Sequence, residues 1–132
     1  MLKLHGFSSG NYYNVPKLAL LEKGLPFEEV VSYTGVGPKY RPEYLQKSPL
    51  GKVPCLETPE GFISESRAIL EYIERAHPEP SLFPDTPFGV AKVQAFSPFI
   101  ELYFDLVARR FIPILLRVRP PAPHVPYALQ IV

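Results

Sequence analysis

The stretch SPLGKVPCLETPEGFISES, Ser48 to Ser66, decides the fold. It holds two short apolar runs, Val53–Glu57 and Gly61–Ile63, joined through Pro59-Glu60-Gly61. So tight a connection predicts an antiparallel hairpin. Pro54 falls at the first position of its strand, where a proline gives up a ladder donor and marks a candidate cis bond. A cis Val53-Pro54 leaves the Val53 backbone open to pair with an extended ligand instead of another strand. The stretch ends in Glu65-Ser66, where a helical period begins. A helix N-terminus carries free N–H groups that attract an anion.

Towards the N-terminus, Leu2 to Phe7 predicts a short strand and Ser8 to Asn11 has turn and cap chemistry. Val15 to Lys23 predicts a helix stopped by Gly24, with Pro16 in its first turn. Pro26 to Tyr33 gives a second strand, parallel to the first, and Tyr40 to Lys47 a short helix. Past the hairpin, Ile69, Leu70, Ile73 and Ala76 share one helical face. The order β-α-β-α-β-β-α is that of a thioredoxin-like α/β domain. It gives a domain over 1–80, a linker over 81–88, and a partial all-α second domain over 89–132. That last part is a long helix from Gly89 to Ile112, interrupted at Pro98, and a proline-broken tail. Its apolar stripe, Val93, Phe96, Ile100, Tyr103 and Val107, predicts a buried interface and hence a homodimer.

The 132 residues carry a net charge of +1 with both signs interspersed, so nucleic acid is a poor partner. The single cysteine, Cys55, forms no internal disulfide and fits a reducing, cytoplasmic setting. Met1 to His5 lacks a signal peptide's apolar core, and no apolar run is long enough to span a membrane. His5, His77 and His124 fall in a strand, a helix end and the tail, which supports neither a metal set nor a catalytic triad. No phosphate-cradling glycine motif occurs.

Three segments in order, VPKLALLEKGLPFEEV, SPLGKVPCLET and EGFISESRAILEYIE, resemble the glutathione-binding half of the soluble glutathione transferases. The resemblance covers roughly residues 1 to 84 and fades after Arg110. It implies a protein that binds glutathione as co-substrate, without a metal, and conjugates its thiolate to a small electrophile. Ser66 would bind the γ-glutamyl carboxylate and Glu65 the amine. Val53, before a cis Pro54, would pair with the cysteinyl unit. Lys39 falls where relatives often carry a basic residue for the glycyl carboxylate, and Lys52, just before Val53-Pro54, would lie near the same groove. Ser66 also fits a plain helix cap, Pro54 an ordinary edge-strand proline, and the lysines solvated surface charges.

The thiol-activating group is open. Ungapped alignment puts the family's Ser or Cys position on Gly10, which has no side chain to stabilise a thiolate. Ser9, Asn11 and Tyr12 are the neighbouring candidates. Ser9 or Asn11 could equally cap the first helix, and Tyr12 could be a packing residue. Cys55 should point into the core, where a thiol is inert. A glutathione-dependent reductase would need it reactive. The short second domain suggests a truncated or altered product of a longer gene with reduced conjugating activity. The alternative is a non-catalytic transferase-like dimerisation or interaction module.

Overall fold

The computed structural model describes residues 1–32 and 42–111. By their internal contacts they divide into two units, Met1–Leu82 and the residues from Phe83 on.

The first unit holds a four-stranded sheet of order β2-β1-β3-β4. Its strands are β1 (Leu2–Gly6), β2 (Phe27–Val31), β3 (Cys55–Thr58) and β4 (Gly61–Ser64). β1 and β2 run parallel, as their connection through helix α1 (Asn11–Glu22) requires; β1–β3 and β3–β4 are antiparallel. Thr58 shapes the hairpin turn: its hydroxyl accepts from the N–H groups of Glu60 and Gly61, at 3.1 and 3.2 Å.

Directly opposed residues share a face, so the register assigns the two sides. Leu4 and Leu56 are paired and both fully buried beneath α1 and α3 (Ser66–Ala76). Tyr13, Ala19, Leu20, Ile69 and Ile73 complete that core. Each fully buried aliphatic side chain contributes about 1.5–3 kcal/mol. The expected α3 stripe holds at Ile69 and Ile73 and half-buries Leu70, but Ala76, on the last turn, is exposed.

Lys3, His5, Cys55 and Glu57 point to the other side, where the short helix α2 (Pro42–Leu45) and the turn after it lie. Glu57 is the hub of that side. It meets His5 Nε2 at 2.9 Å, Lys47 Nζ at 3.1 Å and Lys3 Nζ at 3.3 Å. Hydrogen bonds from His5 and Lys47 hold its carboxyl down at about 2. Burial keeps His5 below its ordinary value despite that carboxylate.

Two residues tie the helices to the sheet. Gly6 has φ +154°, and a Cβ there would stand 2.2 Å from the Tyr13 ring, so glycine lets α1 approach β1. The Lys23 side chain is fully buried, and its ammonium donates to Glu74 Oε2, the His77 carbonyl and the Pro80 carbonyl at 2.7, 2.6 and 2.7 Å. It therefore holds the end of α1, the end of α3 and the following loop together.

Several local expectations need correction. Helix α1 starts at Asn11, four residues before Val15, because Gly10 turns the chain by donating its N–H to the Phe7 carbonyl at 3.0 Å. Pro16 is thus the sixth helical residue, not a first-turn residue. β3 begins at Cys55 rather than Val53, since the Cys55–His5 and Cys55–Ser64 pairs are the last of their ladders.

In the second unit, helix α4 (Pro87–Ile100) begins two residues before Gly89. Thr86 is its cap, accepting from the Gly89 N–H at 3.1 Å, and Pro87 takes the first turn, where its missing N–H costs nothing. The helical path runs through Pro98 into a π-helical turn at Glu101–Asp105 and a last turn, α5 (Leu106–Arg109). Phe96, Phe99, Leu102, Tyr103, Phe104 and Val107 are exposed within this unit. Arg110 and Phe111 form a turn after α5, and Ile112, where the expected helix ends, lies with the whole tail outside the described residues.

Candidate functional site

The register brings three separated segments to one end of the sheet. His5, the penultimate residue of β1, pairs with Cys55, the first of β3, and Cys55 pairs with Ser64, the last of β4. Hence the turn after β1 (Ser8 to Gly10), the segment before β3 (Lys52 to Pro54) and the residues after β4 (Glu65 and Ser66) all emerge at that end. Helices α1 and α3 both start there, so two helix N-termini converge on it. A shallow hollow lined by Thr58, Gly61, Phe62, Ile63 and Tyr72 sits at the opposite end and contains none of the candidate residues.

The Val53-Pro54 bond is cis. Pro54, one residue outside the β-ladder, is buried, and Val53, two residues outside it, is half-buried. The Tyr44 hydroxyl donates to the Lys52 carbonyl at 3.0 Å and pins this segment from the α2 side. Burial pushes the Tyr44 phenol above its ordinary range. Lys52 itself is exposed. Lys39 lies outside the described residues.

Glu65 is exposed and adopts φ 73°, ψ 121°, the positive-φ conformation among the described non-glycine residues. Such a conformation costs about 1–3 kcal/mol and persists only where its surroundings over-determine it. It turns Glu65 outward and Ser66 inward. Ser66 is 7% exposed. Its hydroxyl donates to the Tyr12 carbonyl at 2.9 Å, across 54 positions of sequence. The plain cap, with the hydroxyl bonded to its own helix, is therefore not what forms. The first-turn N–H groups of α3 gain no side-chain cap from Glu65.

Around α1, Ser9 and Asn11 are exposed and Tyr12 is half-buried. The cap is Gly10, which offers no side-chain bond. A Cβ on Gly10 would stand 3.3 Å from the Phe7 carbonyl, so the turn has little room for a side chain there. Asn14 Nδ2 donates to the Ser8 carbonyl at 2.9 Å and fastens the turn to the helix. Cys55 is fully buried, and its thiol donates to the Lys47 carbonyl at 3.4 Å. Burial pushes it up to about 11, which leaves almost no thiolate at neutral pH.

This end of the sheet combines a helix start that seeks an anion, an exposed carboxylate beside it that suits an ammonium, and the Lys52–Pro54 backbone lying outside the β-ladders. Together they complement an α-amino acid head joined to a short peptide. The Ser66–Tyr12 bond was missed from sequence, because nothing local marks a hydroxyl as the partner of a carbonyl so far away. The Lys23 clamp was missed for the same reason.

The sheet and its helices form a thioredoxin-like domain. A profile of the glutathione S-transferase N-terminal domain matches residues 4–81, and the chain belongs to that family. It is similar to a glutathione S-transferase of Pseudomonas putida, with 57% identity over 109 residues, covering 83% of this chain and 48% of that protein. It is also similar to a probable elongation factor 1-gamma 2 of Arabidopsis thaliana, 33% identical over 104 residues, covering 79% of this chain and 25% of the other. Among solved structures, a glutathione S-transferase of Methylobacterium radiotolerans in complex with glutathione sulfonate superposes with TM-score 0.73 at 30% identity, covering 98% of this chain and 58% of that one. The chain thus spans about half the length of the Pseudomonas transferase and about a quarter of the elongation factor.

Proposed function

We propose that the chain binds glutathione at this end of the sheet and presents its thiolate to an alkyl or aryl electrophile. The sulfur forms a bond to the electrophilic carbon, and the leaving group departs with its electron pair. The observation that carries the proposal is the convergence of Val53, the Glu65-Ser66 helix start and the Ser9–Asn11 turn at one sheet end. The backbone N–H groups at the start of α3 receive the γ-glutamyl carboxylate, and Glu65 receives the ammonium. The Val53 backbone pairs with the cysteinyl unit, and Lys52 and Lys39 serve the glycyl carboxylate. A thiol of pKa about 8.5 needs about 2.7 kcal/mol of preferential anion stabilisation to fall by two units. A hydrogen bond from Ser9, Asn11 or Tyr12, with the start of α1, supplies that order of energy.

The exposed apolar side chains of the second unit favour a second role, association of two copies in the cytoplasm. The likeness to a probable elongation factor 1-gamma fits a non-catalytic interaction module. Titration calorimetry with reduced glutathione separates the two. Saturable binding, with turnover of haloarene or epoxide electrophiles, supports the transferase. A self-associating chain that takes up no glutathione supports the module.

A further inference from the structure

We infer that Tyr44 is a positioning residue for the ligand's peptide: its hydroxyl sets the orientation of the Lys52–Val53 amide, and so the direction of the Val53 N–H. This deepens the glutathione reading above and rests on it. The hydroxyl donates to the Lys52 carbonyl at 3.0 Å, eight positions along the chain. Lys52-Val53 is trans, since the cis bonds among the described residues are Val53-Pro54 and Glu79-Pro80. In a trans peptide the carbonyl and the N–H share one plane and point opposite ways. A Lys52 carbonyl held towards Tyr44 therefore sends the Val53 N–H away from α2. Among the described residues that N–H meets no acceptor. Pro54 has no N–H, so Val53 supplies the last backbone donor before the ladder starts at Cys55. An extended ligand laid along this segment takes its main-chain bond there.

Tyr44 is itself held in a closed ring of contacts. Its carbonyl, near the end of α2, accepts from the N–H groups of Lys47 and Ser48 at 3.0 and 2.8 Å. Lys47 carries the ring to β3: its carbonyl accepts the Cys55 thiol at 3.4 Å, and its ammonium meets Glu57 at 3.1 Å. A turn closed by the Gly51 N–H on the Ser48 carbonyl at 2.8 Å leads on to Lys52. The path from Tyr44 to Cys55 is thus braced at both ends, and the Tyr44 hydroxyl crosses to its middle. No other described group holds the Lys52 carbonyl, so without that hydroxyl the amide plane is free to tilt. A ligand would then have to restore the orientation on binding, at a cost in affinity. Burial keeps the phenol protonated, and hence a donor, over the range in which a thiol titrates. Tyr44 acts in this way on the ligand's backbone, whereas the candidates for thiol activation lie on the turn after β1 and the start of α1.

The test is Tyr44→Phe in the full chain, which removes the hydroxyl and keeps the ring. Titration calorimetry measures the affinity for reduced glutathione and for a thiol-free analogue with a methyl group in place of the sulfhydryl. Loss of the orienting hydrogen bond is expected to raise Kd for both ligands, and KM for glutathione, about fivefold. The ultraviolet pH titration of the bound thiolate and kcat should both hold, because the surroundings of the sulfur are unchanged. A loss confined to glutathione and absent for the thiol-free analogue overturns the proposal, since Tyr44 then acts on the sulfur. A shifted thiolate titration with Kd unmoved overturns it for the same reason. If Tyr44→Phe does not fold, the hydroxyl serves the fold and not the ligand, and the proposal falls. A wild type that binds glutathione no more tightly than Tyr44→Phe removes the proposal alone. A wild-type chain that takes up neither tripeptide removes the glutathione reading, and this proposal with it.

Discussion

Replacing Lys23 with methionine keeps a flexible apolar stem of similar length and removes the ammonium. Three acceptors then lose their donor: Glu74 Oε2 at 2.7 Å and the carbonyls of His77 and Pro80 at 2.6 and 2.7 Å. Breaking a buried ion pair from one side costs about 3–5 kcal/mol. The lower end applies, because Glu74 is 18% exposed and keeps the Ser81 hydroxyl at 3.0 Å and the Leu82 N–H at 3.3 Å. A loss of about 3 kcal/mol is a large share of the usual 5–15 kcal/mol. In a domain of this size it lowers Tm by roughly 12–24 °C. The sign with pH is fixed by Glu74. Burial pushes its carboxyl up, but the Lys23 ammonium and the Ser81 and Leu82 donors outweigh that and hold it below 4.5. A carboxyl depressed in the folded state stabilises fully above its unfolded value and loses that contribution as pH falls through the folded one. Lys23→Met should therefore flatten the acid limb below pH 4.5 as well as lower stability at neutrality. Urea unfolding followed by far-ultraviolet circular dichroism measures both. A neutral-pH loss under about 1 kcal/mol with an unchanged slope in urea would refute the clamp.

Gly6→Ala should destabilise by more than about 2 kcal/mol, because its methyl would meet the Tyr13 ring at 2.2 Å in a backbone region that alanine avoids; a near-neutral urea midpoint would contradict this. Cys55 should react with a disulfide reagent at pH 7 only as fast as the chain opens, so rapid labelling of folded protein would restore the reductase reading. Acidification should weaken the fold first through His5, as pH falls from 6.5 through its lowered value, and then through Glu57, as pH falls from 4.5 to about 2. Glu57→Gln should remove the second of these losses, and an unaltered acid limb would show that the Glu57 hub contributes nothing.

The fold was legible where local chemistry decides it. Alternating residues in Leu2–Gly6, the tight turn at Pro59-Glu60-Gly61 and the 3.6-residue period of Ile69 and Ile73 are short-range signals, and each produced its element. The candidate site was legible as a set of segments, since strand order alone carries Val53, Glu65 and the turn after β1 to one end. What the chain did not disclose locally are partnerships across more than fifty residues. Pro16 reads in sequence as a helix-start residue; the three-dimensional arrangement places it sixth in α1, and brings the Ser66 hydroxyl at the start of α3 to the Tyr12 carbonyl. The early start of α1 was hidden because Gly10, a residue without a capping side chain, closes the turn through its backbone. Thr86-Pro87 was a readable cap passed over within a proline-rich run.

The most direct check is thermal unfolding of the chain in increasing reduced glutathione. Binding to the folded state alone stabilises by about 2.7 kcal/mol at one hundred times Kd, roughly 11–22 °C in a domain of this size. Tm should climb with the logarithm of glutathione concentration in the wild-type chain, and much less in Glu65→Ala. A Tm that stays level at every glutathione concentration, in a chain that still unfolds cooperatively, would mean that this end of the sheet is not a glutathione site.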